Sequence, residues 1–372
     1  MSNNVFTLIS NGFKYEDCWE KIEIKLSIEN VCNEINLGTL NFFENLLQLF
    51  KASDDWNLKK GKPYTALINK EIISTGYVDE VEINYDSNGS NIDFYLRDKT
   101  SDLVDCCFFS EKISEFKNQK IINIINTLCL PFKINVIIDP VVTSLLNTIV
   151  PEYTIDQGRS VAELIVEECV KLGVLVTTDG LGNIILTQPN LYEVASDIIT
   201  ETNIISCRMN SSLKDRFSNY ITKAEMKPDQ LYNVDADQLW ISKEKEGCYS
   251  NKRIVEDAEL KERFRPLILL SDTAQTIEDC VRRSFYEANI RRAKGLTITY
   301  ELEGWTEVNS GKVWKPNKLV LVVDKKIDVN ELMLINSVSL SYDNGFKTTL
   351  ELVRKECYGL TEQALQLIRK GF

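Results

Sequence analysis

The chain alternates apolar and polar residues at both ends and switches to helical periods in between. In WEKIEIKLSIE, Ile22, Ile24, Leu26 and Ile28 take one side while Glu23, Lys25 and Ser27 take the other, the period of two expected of a half-buried strand. FTLIS reads as a strand before it, and GYVDEVEINYD and NIDFYLRD repeat the pattern after it. The Asn88-Gly89 pair between these last two predicts a tight hairpin. Gly12, Gly61 and Gly76 read as turns, with a strand following Pro63. Two-sided alternation returns in GLTITYELEGW, NKLVLVVD, LMLINSVSLSYD and KTTLELVRKE, predicting four strands. Residues 200–270 read as irregular, with a strand within 216–225 and a solvated charged stretch, KRIVEDAELKERFR.

Between the β-rich ends, Ile121, Ile124, Ile125 and Leu128 recur at helical spacing within 117–130, and Pro131 marks the stop. Ser160 with Glu163 predicts a capping box, in which hydroxyl and carboxylate satisfy N–H groups reciprocally. Val161, Leu164, Ile165 and Leu172 supply that helix's apolar stripe, and Gly173 its left-handed end. VLVTTDGLGNIILTQP reads as a hairpin. LCLPFKINVIID suggests a strand, followed by a short helix or a loop. The longest helical pattern covers 273–294, with Ala274, Ile277, Val281, Phe285 and Ala288 on one face and Gly295 at its end. A short amphipathic helix is expected over 362–369. No exact repeat is present, yet two β-rich ends leave room for two similar barrels. The expected class is α+β, mainly β, with a mixed α/β middle.

At 372 residues the chain suits two or three domains. Lys+Arg is 43 against Asp+Glu 55, a net charge of −12, which disfavours wrapping of nucleic acid. There is no histidine, so Ser-His-Asp and Cys-His nucleophiles and HExxH metal sites are excluded. The ten cysteines form no CxxC pair and mostly lie in apolar runs, which predicts buried reduced thiols and no zinc site. The opening residues lack the basic and apolar regions of a secretory signal, and no stretch approaches a membrane span, so a reducing cytoplasm is the expected place of synthesis.

Candidate chemistry is sparse. Asp179-Gly180-Leu181-Gly182-Asn183 resembles a phosphate loop, but no Lys-Ser/Thr helix follows, so a hairpin turn is the better reading. Glu301 with Glu303, or Asp102 with Asp105, could serve as paired carboxylates of a glycosidase, though spacing alone marks no cleft. Arg282-Arg283 and Arg291-Arg292-Lys294 form one basic cluster, which reads as a polar helix face meeting acidic surface rather than a nucleic-acid site. Trp305, Trp314 and Pro316 sit on a connection between strands. Large rings there suit a core lid, an inter-subunit contact or, less well, an aromatic ligand groove.

Several spaced motifs carry a resemblance. Arg263, Phe264, Arg265 and Pro266 precede a helix ending in Glu-Ala…Arg-Arg-Ala. Gly304-Trp305 and then Gly311, Trp314, Pro316 and Asn317 follow. The strand Leu332-Met333-Leu334-Ile335 and the run from Gly345 through Thr349 to Leu352 complete the C-terminal pattern. Arg97, Asp98, Lys99, Thr100, Asp102, Leu103, Val104, Asp105 and Cys106 make a second motif, and Arg216, Phe217, Ser218 and Tyr220 a third. In this order, over nearly the whole chain, the motifs resemble the Mu-like phage baseplate hub proteins. One departure is Phe285-Tyr286, where the family usually has Trp.

The resemblance implies a structural protein rather than an enzyme, with no cofactor or metal. It implies a homotrimer at the centre of a contractile tail's baseplate. Each copy would contribute two tube-like β-domains to a pseudo-sixfold ring that adapts the sixfold tail tube to the threefold central spike. DNA would only pass through the lumen, and no stable membrane insertion is implied. The expected location is the virion tail, after assembly in the host bacterial cytoplasm. Expected domains are 1–98, 99–200, 201–355 and a C-terminal helix in 356–372. The expected subunit contacts are the 304–317 connection (Gly304, Trp305, Gly311, Trp314, Pro316, Asn317) and the 98–106 segment with its neighbour (Arg97, Lys99, Thr100, Asp102, Asp105). The acidic charge suggests a lumen that repels phosphate. A baseplate-associated cell-wall hydrolase and a DNA-handling tail protein are the alternatives.

Overall fold

In a computed structural model of the chain, residues 4–40, 58–85, 90–110, 113–189, 195–225, 248–250, 255–271 and 277–357 are described. The first part holds β1 (Phe6–Ser10), β2 (Phe13–Tyr15), β3 (Lys21–Ser27), β4 (Glu34–Leu40), β5 (Pro63–Ile68), β6 (Glu71–Tyr85) and β7 (Ser90–Asp98). The middle holds α1 (Ser101–Asp105), β8 (Glu115–Lys120), α2 (Ile121–Cys129), β9 (Asn135–Ile138), α3 (Thr143–Leu146), β10 (Ile149–Thr154), α4 (Val161–Lys171), β11 (Leu175–Thr178) and β12 (Asn183–Thr187). There follow β13 (Asp197–Thr200), β14 (Ile204–Ser211), β15 (Asn219–Glu225), β16 (Cys248–Ser250), β17 (Val255–Glu256), β18 (Pro266–Ser271) and α5 (Ile277–Lys294). The last strands are β19 (Leu296–Glu303), β20 (Leu319–Asp324), β21 (Val329–Tyr342) and β22 (Phe346–Arg354).

Both β-rich ends join one sheet of thirteen strands, ordered β14-β19-β22-β21-β3-β4-β7-β6-β5-β1-β2, with β20 beside β21 and β13 beside β20. The sheet is built of two similar units, which differ in their last pair: β1 runs antiparallel to β5, whereas β13 runs parallel to β20. In the first, β3-β4-β7-β6-β5-β1 are neighbours; in the second, β14-β19-β22-β21-β20-β13 are neighbours in the same chain order. The correspondence reaches single residues. β6 slips against β7 between Val78 and Glu80, and β21 slips against β22 between Ile335 and Ser337. Just before each slip the backbone pairs alike: Gly61 donates to Val78 and Val78 to Lys62, as Asn317 donates to Ile335 and Ile335 to Lys318. The units meet at an internal joint, where β21 pairs antiparallel with β3 and Val338 and Leu340 face Leu26 and Ile24. One hydrophobic core runs beneath both units. The mainly β class is as expected, but the described pairings leave both units open rather than closed into barrels.

One insertion distinguishes the units. Residues 28–33 are a short turn between β3 and β4, whereas residues 212–295 separate the equivalent β14 and β19. That insertion carries α5 and a small sheet of β15 to β18, and its base is pinched where the Ser212 N–H donates to the Gly295 carbonyl at 2.8 Å. A side chain at Gly295 would collide there, since a Cβ would lie 3.0 Å from the Ser212 oxygen. The middle region has its own core from α2, α4 and the β11-β12-β9 sheet. The capping box forms as expected: Glu163 N–H donates to Ser160 Oγ at 3.2 Å and Ser160 N–H to Glu163 Oε2 at 3.0 Å. Such a cap is worth about 1 kcal/mol.

Some local expectations shift. The buried side of α5 runs through Cys280, Val281, Ser284, Tyr286, Asn289 and Ala293, so Tyr286 rather than Phe285 is core. The stripe is displaced because Ser284 has a buried partner: its Oγ lies 2.8 Å from Thr222 Oγ1 and accepts from Thr222 N–H. Residues 200–270 are less irregular than the sequence suggested, since β14 and β18 fall there. The expected short helix over 362–369 and the hairpin turn at Asn88-Gly89 lie outside the described residues, though β6 and β7 do pair up to Tyr85 and Ser90. Cys32, Cys129, Cys169, Cys280 and Cys357 are buried as expected, while Cys106, Cys107 and Cys207 are exposed.

Candidate functional site

Alternation along eight adjacent strands, from β14 across the internal joint to β6, gives the large sheet one apolar and one polar face. The apolar face is core. On the polar face the rows line up across strands. Ser206, Glu301, Thr349, Ser339, Lys25, Glu34 and Arg97 form one row; Glu303, Lys347, Ser341, Glu23, Asn36, Tyr95 and Glu80 form the next. Carboxylates outnumber cations here, because Asp93, Glu82 and Glu351 join those acids while Lys21 and Arg208 join the bases. Lys347 pairs with Glu301 at 2.7 Å, and Lys25 with Glu23 at 3.4 Å. A shallow depression of about 300 Å³ opens over Gly38 between Lys21, Glu23, Glu80, Glu82, Asp93 and Tyr95.

Glu301 on this face is not set up as a general acid. Lys347 and the Ser206 hydroxyl bond the Glu301 carboxylate and hold it below its ordinary range, so it is no proton donor near neutrality. The other candidate pair diverges. Arg97 bonds both oxygens of Asp105 and lowers its pKa, while burial raises that of Asp102. Among the described residues no group of three or more Cys, Asp or Glu could hold a metal ion.

The 97–105 motif instead builds a junction between the first unit and the middle region. Arg97 reaches from β7 to Asp79 on β6 and to Asp105 on α1. Lys99 Nζ donates to the Lys133 carbonyl at 2.7 Å, and its stem lies against Gly182 in the β11–β12 turn. Thr100 is fully buried and its hydroxyl bonds Val31 O and Asp98. Asp98 is the centre. Its buried carboxylate accepts from Asn33 N–H at 3.0 Å, Thr100 N–H at 3.1 Å and Thr178 Oγ1 at 3.0 Å, thereby holding three chain segments. Burial raises its pKa, and the donors oppose that shift. The Asp179–Asn183 turn docks beside it: Thr75 N–H donates to Gly180 O at 2.6 Å. Gly180 has φ +74, and a Cβ there would sit 2.3 Å from Ile73 O, so no other residue fits. In the sequence Asp98 is one member of the 97–106 motif with no role of its own. An acid two residues before the buried Thr100 at a strand-to-helix junction was the available signal.

The 304–317 connection turns through left-handed residues Gly304, Gly311 and Asn317. Trp305 and Trp314 are 0% and 1% exposed, so both rings are core of this chain. The Trp305 Nε1–H donates to Ser341 O at 2.9 Å, and its ring meets Phe346 edge-on at 4.8 Å. Pro316 is half-buried. The connection exposes residues 308–312, with Val308 72% exposed. The basic cluster of α5 is engaged within the chain. Arg291 pairs with Glu287 at 2.7 Å and lies over Phe217, Arg283 pairs with Glu287, Arg292 with Glu259 and Lys294 with Glu29. No helix among the described residues is long and apolar enough to cross a membrane.

Comparison with known proteins agrees with this picture of a scaffold. Residues 5–98 match the N-terminal domain of Mu phage baseplate assembly protein GpP-like proteins. Residues 100–188 match the second domain of gp44-like baseplate hub proteins, and residues 276–361 the fourth domain of GpP. The baseplate hub protein gp44 of Escherichia phage Mu is 26% identical over 100% of this chain and 93% of its own length. The 43 kDa tail protein of prophage MuSo2 from Shewanella oneidensis superposes with a TM-score of 0.78 at 27% identity, over 95% of this chain and 99% of that one. A tail protein of Neisseria meningitidis shares the fold with a TM-score of 0.72 at 14% identity, over 94% and 96% of the two chains. Three successive domain matches in one order and one relative aligned from end to end lead to one conclusion: the chain belongs to the Mu-like phage baseplate hub family, as a structural and non-enzymatic component of a phage tail.

Proposed function

We propose that three copies of this chain close a ring at the centre of a contractile tail's baseplate. The ring adapts the sixfold tail tube above to a threefold spike below, and DNA passes through its lumen. The observation that carries this reading is the duplicated unit: three chains with two like units each present six similar sheets to a sixfold neighbour while keeping threefold differences elsewhere. The eight-strand polar face is the lumen wall in this reading, and its excess of carboxylates keeps phosphate from adhering. A division at 98/99 and another just before β13, rather than at 200/201, separates the tube-like domains from the middle region. The outward part of the 304–317 connection, held in shape by Trp305 and Trp314, is a contact site for neighbouring subunits, while the 97–105 segment braces the middle region behind it. Assembly takes place in the host cytoplasm before the tail is complete.

The mass of the purified protein by light scattering, with images of the particles, tests the reading. Trimers with threefold symmetry around an open hole are expected. A monomer at micromolar concentration, or a trimer without a central hole, overturns it.

A further inference from the structure

We propose that the depression over Gly38 binds a primary alkylammonium group, of the kind that ends an aliphatic polyamine or a lysine side chain. The site lies within a single chain and does not depend on the ring.

The argument starts from the two units. Counting from the slips in register, Val78 corresponds to Ile335, Leu96 to Leu352, Ile35 to Ile298 and Ile24 to Met209. On the polar face the same count sets Gly38 in the place of Glu301, Asn91 in that of Lys347 and Asp93 in that of Thr349. In the second unit this place is filled from within. Glu301 bonds the Lys347 ammonium at 2.7 Å and accepts from the Ser206 hydroxyl at 3.0 Å. The same spot on the repeated sheet thus already takes an alkylammonium group, supplied by the chain itself. The first unit carries neither the side chain of that floor nor the lysine, yet its walls are acidic.

Those walls are Glu23, Glu80, Glu82 and Asp93, around a depression of about 300 Å³. Lys21 lines it as well, and Lys25 pairs with Glu23 at 3.4 Å, so the carboxylates keep a negative excess. Gly38 keeps the floor open: a Cβ there would come within 2.9 Å of Asp93 Oδ1 and 3.3 Å of Lys21 Cβ. A glycine inside a strand is the mark of a close approach by another group. An ammonium offers three N–H donors and no acceptor, whereas ionised carboxylates only accept, so the two are complementary. Tyr95 stands directly across from Glu80 on the same face, and its ring gives a methylene stem and its charge a surface to lie on. A metal ion is the poorer fit. Calcium and magnesium need several oxygens converging on one point, and among the described residues no group of three or more Cys, Asp or Glu does so.

Calorimetric titration of the full chain with butylammonium at low salt tests the site. Saturable binding of one ion per chain is expected. Asp93→Asn with Glu82→Gln should weaken it at least ~tenfold. Glu152→Gln with Glu262→Gln, which removes as much charge from exposed positions elsewhere, should leave it unchanged. Gly38→Ala puts a methyl group on the floor at constant charge, and should also weaken binding with the circular dichroism spectrum unchanged. Spermidine and acetyl-lysine methylamide form two further arms, and the tighter of them identifies a free polyamine or a lysine side chain as the source. Three results overturn the proposal: no saturable binding up to millimolar butylammonium, equal weakening by the two double variants, or full binding by Gly38→Ala. Light scattering tests the trimer separately, so the site can fail while the ring stands.

Discussion

Gly61 and Asn317 stand in the same place in successive units. Both are left-handed, with φ +79 and +61, and each donates its N–H to the residue before a register slip, Val78 O at 2.6 Å and Ile335 O at 3.0 Å. Asparagine tolerates this backbone region better than other residues with a Cβ, and glycine has no penalty there. Asn317→Val is therefore expected to lower stability by about 1–2 kcal/mol, and Asn317→Gly to be near neutral. Urea denaturation of the two variants checks this, and equal stability of Val and Gly at 317 would contradict it.

Trp305 and Trp314 are core rings in a connection that also faces outward. Replacing either with Ala should cost about 3–5 kcal/mol of folding stability, seen as a lower urea midpoint. If instead unfolding were unchanged and only association weakened, the rings themselves would be the subunit contact.

Glu259 bonds Arg216 at 2.7 Å and Arg354 at 3.1 Å and lies near Arg292, tying the 212–295 insertion to the end of β22. Its hydrogen bonds to Arg216 and Arg354 lower its pKa from 4.5 to about 2. A folded-state value below the unfolded one gives stability that is present above the unfolded pKa and lost as pH falls through the folded one. Stability should decline between about pH 4.5 and pH 2, and Glu259→Gln should flatten that part of the profile. Thermal melts across this range decide the matter; an unchanged slope in the variant would refute the assignment.

The polar face makes a charge prediction. In assembled rings, Glu34→Lys with Glu303→Lys should retain short duplex DNA at low salt and release it as salt rises, whereas the unsubstituted protein should not retain it. A gel shift at two ionic strengths checks this. Retention by the unsubstituted ring would remove the idea of a phosphate-repelling wall.

The strands of the large sheet were legible because each buries one face only, so Ile22, Ile24 and Leu26 alternate with polar residues in plain sight. The capping box of α4 was legible because both of its partners lie within four residues. The duplication showed in the sequence only as two β-rich ends, because its residue-level match lies in hydrogen-bond geometry rather than in residue type: Ile24 corresponds to Met209, and Gly61 to Asn317. The phase of α5 was misread because hydrophobicity assigns Ser284 and Asn289 to solvent, while the fold buries them. The role of the 97–105 motif lay equally out of reach. Asp98 binds Thr178 across 80 residues of chain, and no local pattern announces so distant a partner.

Putting both units on one polypeptide also changes what evolution can alter. Were every unit of the proposed ring a separate identical molecule, any bulge added to one would be added to all, and the symmetry could never step down. Here the first unit keeps a short turn at residues 28–33 while the second carries residues 212–295 at the equivalent corner. In a collar of the kind proposed, alternate corners could thus be decorated independently, so that a sixfold wall would acquire threefold furniture without being disturbed.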